Sequence, residues 1–310
     1  MSKTKIILDC DPGHDDAVAI IFAAKHCDVM GITTVSGNVS LDLTTKNALI
    51  TTQIIGSDIP VYSGADRPLI ADVIHAPDIH GETGLGGPVL PKATKQISGS
   101  DAVQFIIDTI RASKDKELWL VAIGPLTNIA LAFRKAPDII DKIAGISIMG
   151  GSNSFGNKTP AAEFNIIADP EAADIVFSSG ANILMSGLNL THQFGVKRED
   201  IERIRAIGSK VSDFVSDMLE FFAGMYEQRY FGEFNGPLHD PCAVMAISHP
   251  DLIEFADRHV VVELRGEHTR GMTLVDERNV KTRLKNNAKV ALKINRSEAM
   301  ELLIETIASY

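Results

Sequence analysis

Positive charge is in short supply in this 310-residue chain. Thirty lysines and arginines face forty aspartates and glutamates, a formal net charge of −10. A surface of that sign repels phosphate backbones and anionic membranes, so neither nucleic acid nor membrane is expected as a partner, whereas a small neutral molecule is not excluded. Cysteine is scarce too. Cys10, Cys27 and Cys242 are odd in number and lack metal-type spacing, which excludes a disulfide framework and points to a reducing, cytoplasmic setting. Long apolar runs are missing. No window approaches the roughly 18 residues of a membrane span, and the N-terminal run KIIL is too short for a signal peptide. No repeat, low-complexity tract or linker interrupts the chain, so one domain over residues 1–310 is expected.

What is present is an alternation. Apolar runs at 5–8, 29–35, 59–64, 117–123, 144–150 and 181–187 read as strands. Segments 17–26, 43–55, 125–136 and 169–179 read as helices. Strand, turn, helix and strand again predicts an α/β fold: a Rossmann-like, open, mostly parallel central sheet flanked by helices. Two stretches, 64–99 and 150–168, are too rich in Gly, Pro and polar residues to fit and read as loops, either functional or disordered. Helical sequence follows over 198–231, then the turn GEFNGPLHDP, strand-like pieces near 258–265, 271–276 and 288–294, and a closing helix over 297–309. Polar residues collect after the strands, at 9–16, 36–38, 123–128, 150–165 and 187–192. The active site is therefore expected at the C-terminal ends of the strands.

The densest of these clusters is DCDPGHDD, residues 9–16, with Asp9, Asp11, Asp15 and Asp16 around Pro12 and Gly13. Like charges so close repel unless something compensates. Asp15 or Asp16 alone would suit a helix N-terminus. That does not account for Asp9 and Asp11 at the same turn. A shared hard cation would, with Asp240 of LHDP as a distant third carboxylate. The spacing is not that of an EF-hand, whose sixth and twelfth positions would fall here on Asp16 and Phe22. Histidines 14, 80 and 239 lie beside acidic or glycine-rich sequence; a lone histidine is more often structural than an acid or base, and His239, next to Asp240, has the better case for chemistry. Asn157, Glu163 and Asn165 offer the donors and acceptors that a sugar needs, or ordinary loop capping. Phe222, Tyr226 and Tyr230 share one helix face, which serves a core or a platform for a planar ring.

Taken in order, DCDPGHDDA, GPLTNIA, MGG…GN…AEFN…DPEAA and HDP resemble the nucleoside hydrolases, the inosine–uridine-preferring group, from residue 5 to the C-terminus. The resemblance implies Ca2+ held by Asp11, Asp16, Asp240 and the Ile123 carbonyl. It implies direct attack on C1′ of a ribonucleoside by a metal-bound water, with Asp11 as general base and free base and ribose as products. Asp15, Asn157, Glu163 and Asn165 would hold the ribose, with Asn38 and Met149 lining the sugar site. His80 and His239 would lie near the base, His239 assisting its departure. Phe164 and Tyr226 would be aromatic pocket residues, and Tyr230 a second tyrosine typical of pyrimidine-preferring members. Asp9 is left to support the turn. A role in nucleoside salvage and a homotetramer or homodimer are also implied.

Two other readings compete. DxD after an apolar strand also marks Mg2+-dependent phosphohydrolases of the haloacid-dehalogenase type, but these do not continue as PGHDD. A nucleoside-binding protein without turnover would not need Asp11, Asp16, Asp240 and Asn165 together.

Overall fold

A computed structural model describes residues 3–229, 234–278, 280 and 284–310. Six parallel strands form most of its sheet: β1 (Thr4–Cys10), β2 (Cys27–Thr34), β3 (Val61–Ser63), β4 (Leu118–Ala122), β5 (Gly145–Met149) and β6 (Ile183–Ser186). The strand Ala288–Ile294 adds in parallel beside β6, and Ile253–Arg258 closes that edge antiparallel. The order is β3-β2-β1-β4-β5-β6, then 288–294 and 253–258. This is the expected mostly parallel sheet, with one antiparallel edge strand.

Chain direction explains where a site can form. From β1 the chain builds outward to β2 and β3, then returns to lay β4 on the other side of β1. The loops after β1 and β4 therefore leave in opposite directions and open a crevice between them. Ile6 to Cys10 are buried along β1, as a central strand covered on both faces requires. Helix α1 (His14–His26) is buried from His14 through Ala23. Its run AVAIIFAA is apolar all round, the pattern of a core helix rather than an amphipathic surface one.

Several elements differ from the sequence reading. The first helix begins at His14 rather than Ala17, which draws His14, Asp15 and Asp16 into its first turn. The helical stretch at 198–231 splits into Arg198–Arg205 and Lys210–Arg229 around Gly208, whose φ of 70° lies in the left-handed region open to glycine. Helices Ala102–Ala112 and His239–Ser248 are additional. The strand-like pieces at 258–265 and 271–276 form a separate antiparallel ribbon, Val260–Val262 with Thr273–Val275.

Candidate active site

Asp11 leaves the end of β1 where the crevice opens. Its Oδ2 accepts the Asn38 backbone N–H at 2.7 Å, which fastens it to the loop after β2. Gly37 and Gly124 press against the same carboxylate from the loops after β2 and β4, and a Cβ at either position would collide with it. Asp11 Oδ1 is buried with no hydrogen-bond partner among the described residues. Asp16 faces it from α1. One Asp16 oxygen accepts the Asp11 N–H at 3.1 Å and the other the Gly13 N–H at 2.9 Å, so Asp16 caps its own helix and tightens the Pro-Gly turn. The Asn38 side chain donates to Asp16 Oδ2 and to the Asp11 carbonyl, both at 3.2 Å.

Asp240 arrives at the start of the helix His239–Ser248. Oxygens of Asp15, Asp16 and Asp240 lie within 4.8 Å of one another, all buried. Asp11 is not in that trio, but it adjoins it through Asp16. Among the described residues no lysine or arginine forms an ion pair with any of the four. Burial first, and neighbouring carboxylates second, push Asp11 and Asp240 well above the usual carboxylate range. The same two causes raise Asp15 to about 8. Burial also raises Asp16, against the hydrogen bonds it accepts. Four buried carboxylates without a protein cation make an oxygen-rich site suited to a hard divalent ion. The orphaned Asp11 Oδ1 is a buried acceptor oxygen without a protein partner among the described residues.

Above this floor lies a cavity lined by Asp15, Asn38, His80, Ile123, Met149, Asn157, Glu163, Phe164, Asn165, Tyr226, His239 and Asp240. All of these are residues expected from the sequence. Asp11 and Asp16 lie beneath it, and Tyr230 falls outside the described residues. Asn165 Nδ2 donates to the carbonyls of Ile123 at 3.0 Å and Met149 at 3.2 Å, tying the ends of β4 and β5 together. Glu163 accepts backbone N–H groups of Gly151, Asn165 and Ile166. It thereby caps the short helix Phe164–Ala168 and fixes the 150–165 loop, and burial raises it to about 7. Asn157 Oδ1 accepts the Phe164 N–H at 2.9 Å.

At the opposite end Tyr226 Oη lies 3.1 Å from His239 Nε2, and His239 Nδ1 lies 2.7 Å from Thr191 Oγ1. Burial holds His239 well below its ordinary value, with nearby His192 adding to the effect. That direction favours the neutral imidazole at the centre of this three-member chain.

The cavity also recruits residues that the sequence did not single out. Lys158 donates from Nζ to the His75 carbonyl at 3.0 Å, and Asp78 pairs with Arg229. Both contacts tie the 64–99 stretch to a distant part of the chain, and local sequence carries no signal for such pairings.

The model of the inosine-uridine preferring nucleoside hydrolase family matches residues 6–301. The chain is 44% identical to the pyrimidine-specific ribonucleoside hydrolase RihA of Enterobacter sp. (strain 638), covering 98% of each protein. Among solved structures it resembles a plant nucleoside hydrolase, PpNRh1, with a TM-score of 0.93 at 34% identity over 99% of each chain. It also resembles a purine-preferring ribonucleoside hydrolase from Gardnerella vaginalis, with a TM-score of 0.92 at 33% identity over 99% of this chain and 98% of that one.

Proposed function

Because this chain belongs to the inosine-uridine preferring nucleoside hydrolase family and is a ribonucleoside hydrolase, an N-glycosidase, we propose that it depends on Ca2+, acts with Asp11 as general base and prefers pyrimidine nucleosides. The phosphohydrolase and binding-only readings fall with the family assignment.

The observation that carries the proposal is the buried group Asp11, Asp15, Asp16 and Asp240 with its unpartnered Asp11 Oδ1. Asp11, Asp16, Asp240 and the Ile123 carbonyl would hold the ion, and oxygen donors of this kind suit Ca2+. Bound there, the ion would supply fixed positive charge that orients a water and lowers its pKa. Asp11 accepts the water's proton at Oδ1, the oxygen its neighbours leave unengaged. Asp15, Asn157, Glu163 and Asn165 position the ribose beside the carboxylates, whose negative charge favours an oxocarbenium-like sugar. Attack from one face with the base leaving from the other inverts C1′.

Departure of the base calls for a proton or hydrogen bond. A neutral His239 that accepts from the Thr191 hydroxyl at Nδ1 donates from Nε2 to Tyr226 Oη. In this reading Tyr226 supplies its O–H to the leaving base. Preference for pyrimidines is supported by the RihA relative, and the purine-preferring structural relative makes it a live test.

The test is ribose release from uridine, cytidine, inosine and adenosine, with Ca2+ and after chelation. The expected result is fastest release from the pyrimidine nucleosides and loss of activity on chelation, restored by Ca2+. No ribose from any of the four with Ca2+ present would overturn the reading. Faster purine cleavage would overturn the base preference alone.

A further inference from the structure

The antiparallel ribbon Val260–Val262 with Thr273–Val275 stands outside the main sheet. Exposed and buried residues alternate along it, as strand geometry dictates. Val261 and Leu274 are exposed, whereas Val260, Val262 and Thr273 are buried and Val275 packs against the core. Thr273 is thus the one hydroxyl on a face otherwise made of valine. An apolar face gives no reason for it.

The reason lies 121 residues earlier in the chain. Thr273 Oγ1 donates to the Ser152 carbonyl at 2.7 Å and accepts the Ser152 N–H at 2.8 Å. A single hydroxyl therefore pairs both backbone groups of a buried residue. The approach is close, since a Cβ on Gly151 would collide with Thr273 Oγ1 and Cγ2. Two residues before Thr273, Gly271 presses on Ile167 in the same way. The segment 271–273 therefore touches the 150–165 loop near its start and the helix Phe164–Ala168 just beyond its end.

Between these two contacts lie Asn157 and Glu163. The Gly151 N–H donates to Glu163 Oε2 at 2.9 Å, and Glu163 Oε1 accepts the Asn165 N–H at 2.8 Å. Ser152 Oγ accepts the N–H groups of Ser154 and Phe155 at 3.1 and 3.2 Å, which shapes the turn that follows. Thr273 holds Ser152, Ser152 carries Gly151, and Gly151 donates to a carboxylate that lines the cavity.

We propose that Thr273 is a positioning residue: its hydroxyl, acting through Ser152 and Gly151, sets where the Glu163 carboxylate meets the ribose. A carboxylate that accepts hydrogen bonds from a sugar must be held to within about 0.5 Å, and part of that hold comes from outside the sheet. The inference rests on the reading of Glu163 as a ribose contact in the proposed function.

Thr273→Val keeps the branched shape and removes the hydroxyl, whereas Thr273→Ser keeps the hydroxyl. Ribose affinity of the Ca2+-loaded protein, titrated by NMR, needs no turnover. The Kd for ribose should rise about tenfold in Thr273→Val, the worth of one hydrogen bond, and stay within about twofold in Thr273→Ser. KM for uridine should rise with it while kcat stays within about threefold. A double-mutant cycle reads the link to Glu163: in Glu163→Gln, adding Thr273→Val should change Kd by less than about twofold. The same loss with and without Glu163 would overturn the proposal, as would a serine variant no better than the valine one. An unchanged Kd in Thr273→Val, even with a lower melting temperature, would make Thr273 mere packing and overturn it too. Should Thr273→Val not fold, Thr273→Cys, a weaker donor and acceptor at the same place, enters the same cycle. Ribose that fails to bind the wild type leaves the cycle to be read from KM for uridine. Failure to cleave any nucleoside would strike the hydrolase reading instead, and the ribose titration would still decide the link between Thr273 and Glu163.

Discussion

Asp11 is held by one oxygen and idle at the other. The Asn38 amide fixes Oδ2, and Gly37 and Gly124 leave no space for the carboxylate to turn. An Asp11→Asn substitution keeps the volume and the Asn38 contact while removing the base. We expect kcat to fall about 10²- to 10⁴-fold with unchanged circular dichroism. A loss under about tenfold would remove Asp11 as the base. Tyr226→Phe removes the hydroxyl that the neutral His239 can support but not replace. It should slow uridine and cytidine more than inosine, read as the ratio of kcat/KM values between the two classes. Equal losses would detach the Tyr226–His239–Thr191 chain from the leaving base.

Among elements, the turn after β1 is braced from the helix Thr127–Lys135. Asn128 Nδ2 donates to Asp9 Oδ1 at 2.8 Å and to the Thr34 carbonyl at 3.0 Å, and its Oδ1 accepts the Ala65 N–H at 2.9 Å. One side chain thus ties the ends of β1 and β2 and the loop after β3. Asn128→Leu should cost about 2–4 kcal/mol, since it strands buried polar groups on three segments. Urea unfolding should show a lower midpoint with an unchanged slope, and a change within about 0.5 kcal/mol would deny Asn128 that bracing role. The supporting role expected of Asp9 has this physical form, and GPLTN was readable as a strand-to-helix turn. The partnership between the two was not readable, because 119 residues separate them. The same limit hid the helix His239–Ser248. Its sequence HDPCAVMAIS is apolar on every side and follows a turn-rich stretch, so no periodicity announced it. The strand Ile253–Arg258 was missed for a different reason. IEFADR carries three charges among its six residues, which an edge strand tolerates and a buried strand would not.

For the whole molecule, the carboxylate cluster couples folding to pH and to metal. Burial and neighbouring carboxylates raise Asp15 from 3.8 to about 8, and the same two causes push Asp11 and Asp240 well above the usual carboxylate range. A raised value means that the folded protein keeps protons which the unfolded chain has already released. Between 3.8 and about 8 the native state therefore binds more protons, so stability of the metal-free protein falls as pH rises. A divalent ion reverses the trend, because it binds the ionised form and competes with those protons. Thermal unfolding of chelated protein should give a midpoint that drops between about pH 5 and about pH 8. The rise in midpoint on adding Ca2+ should be small at the lower pH and large at the higher. A chelated protein that grows more stable toward about pH 8 would mean that the four carboxylates are already ionised and compensated from within the chain. The cation would then not be what reconciles their burial with their charge, and the site's dependence on Ca2+ would have to rest on catalysis alone.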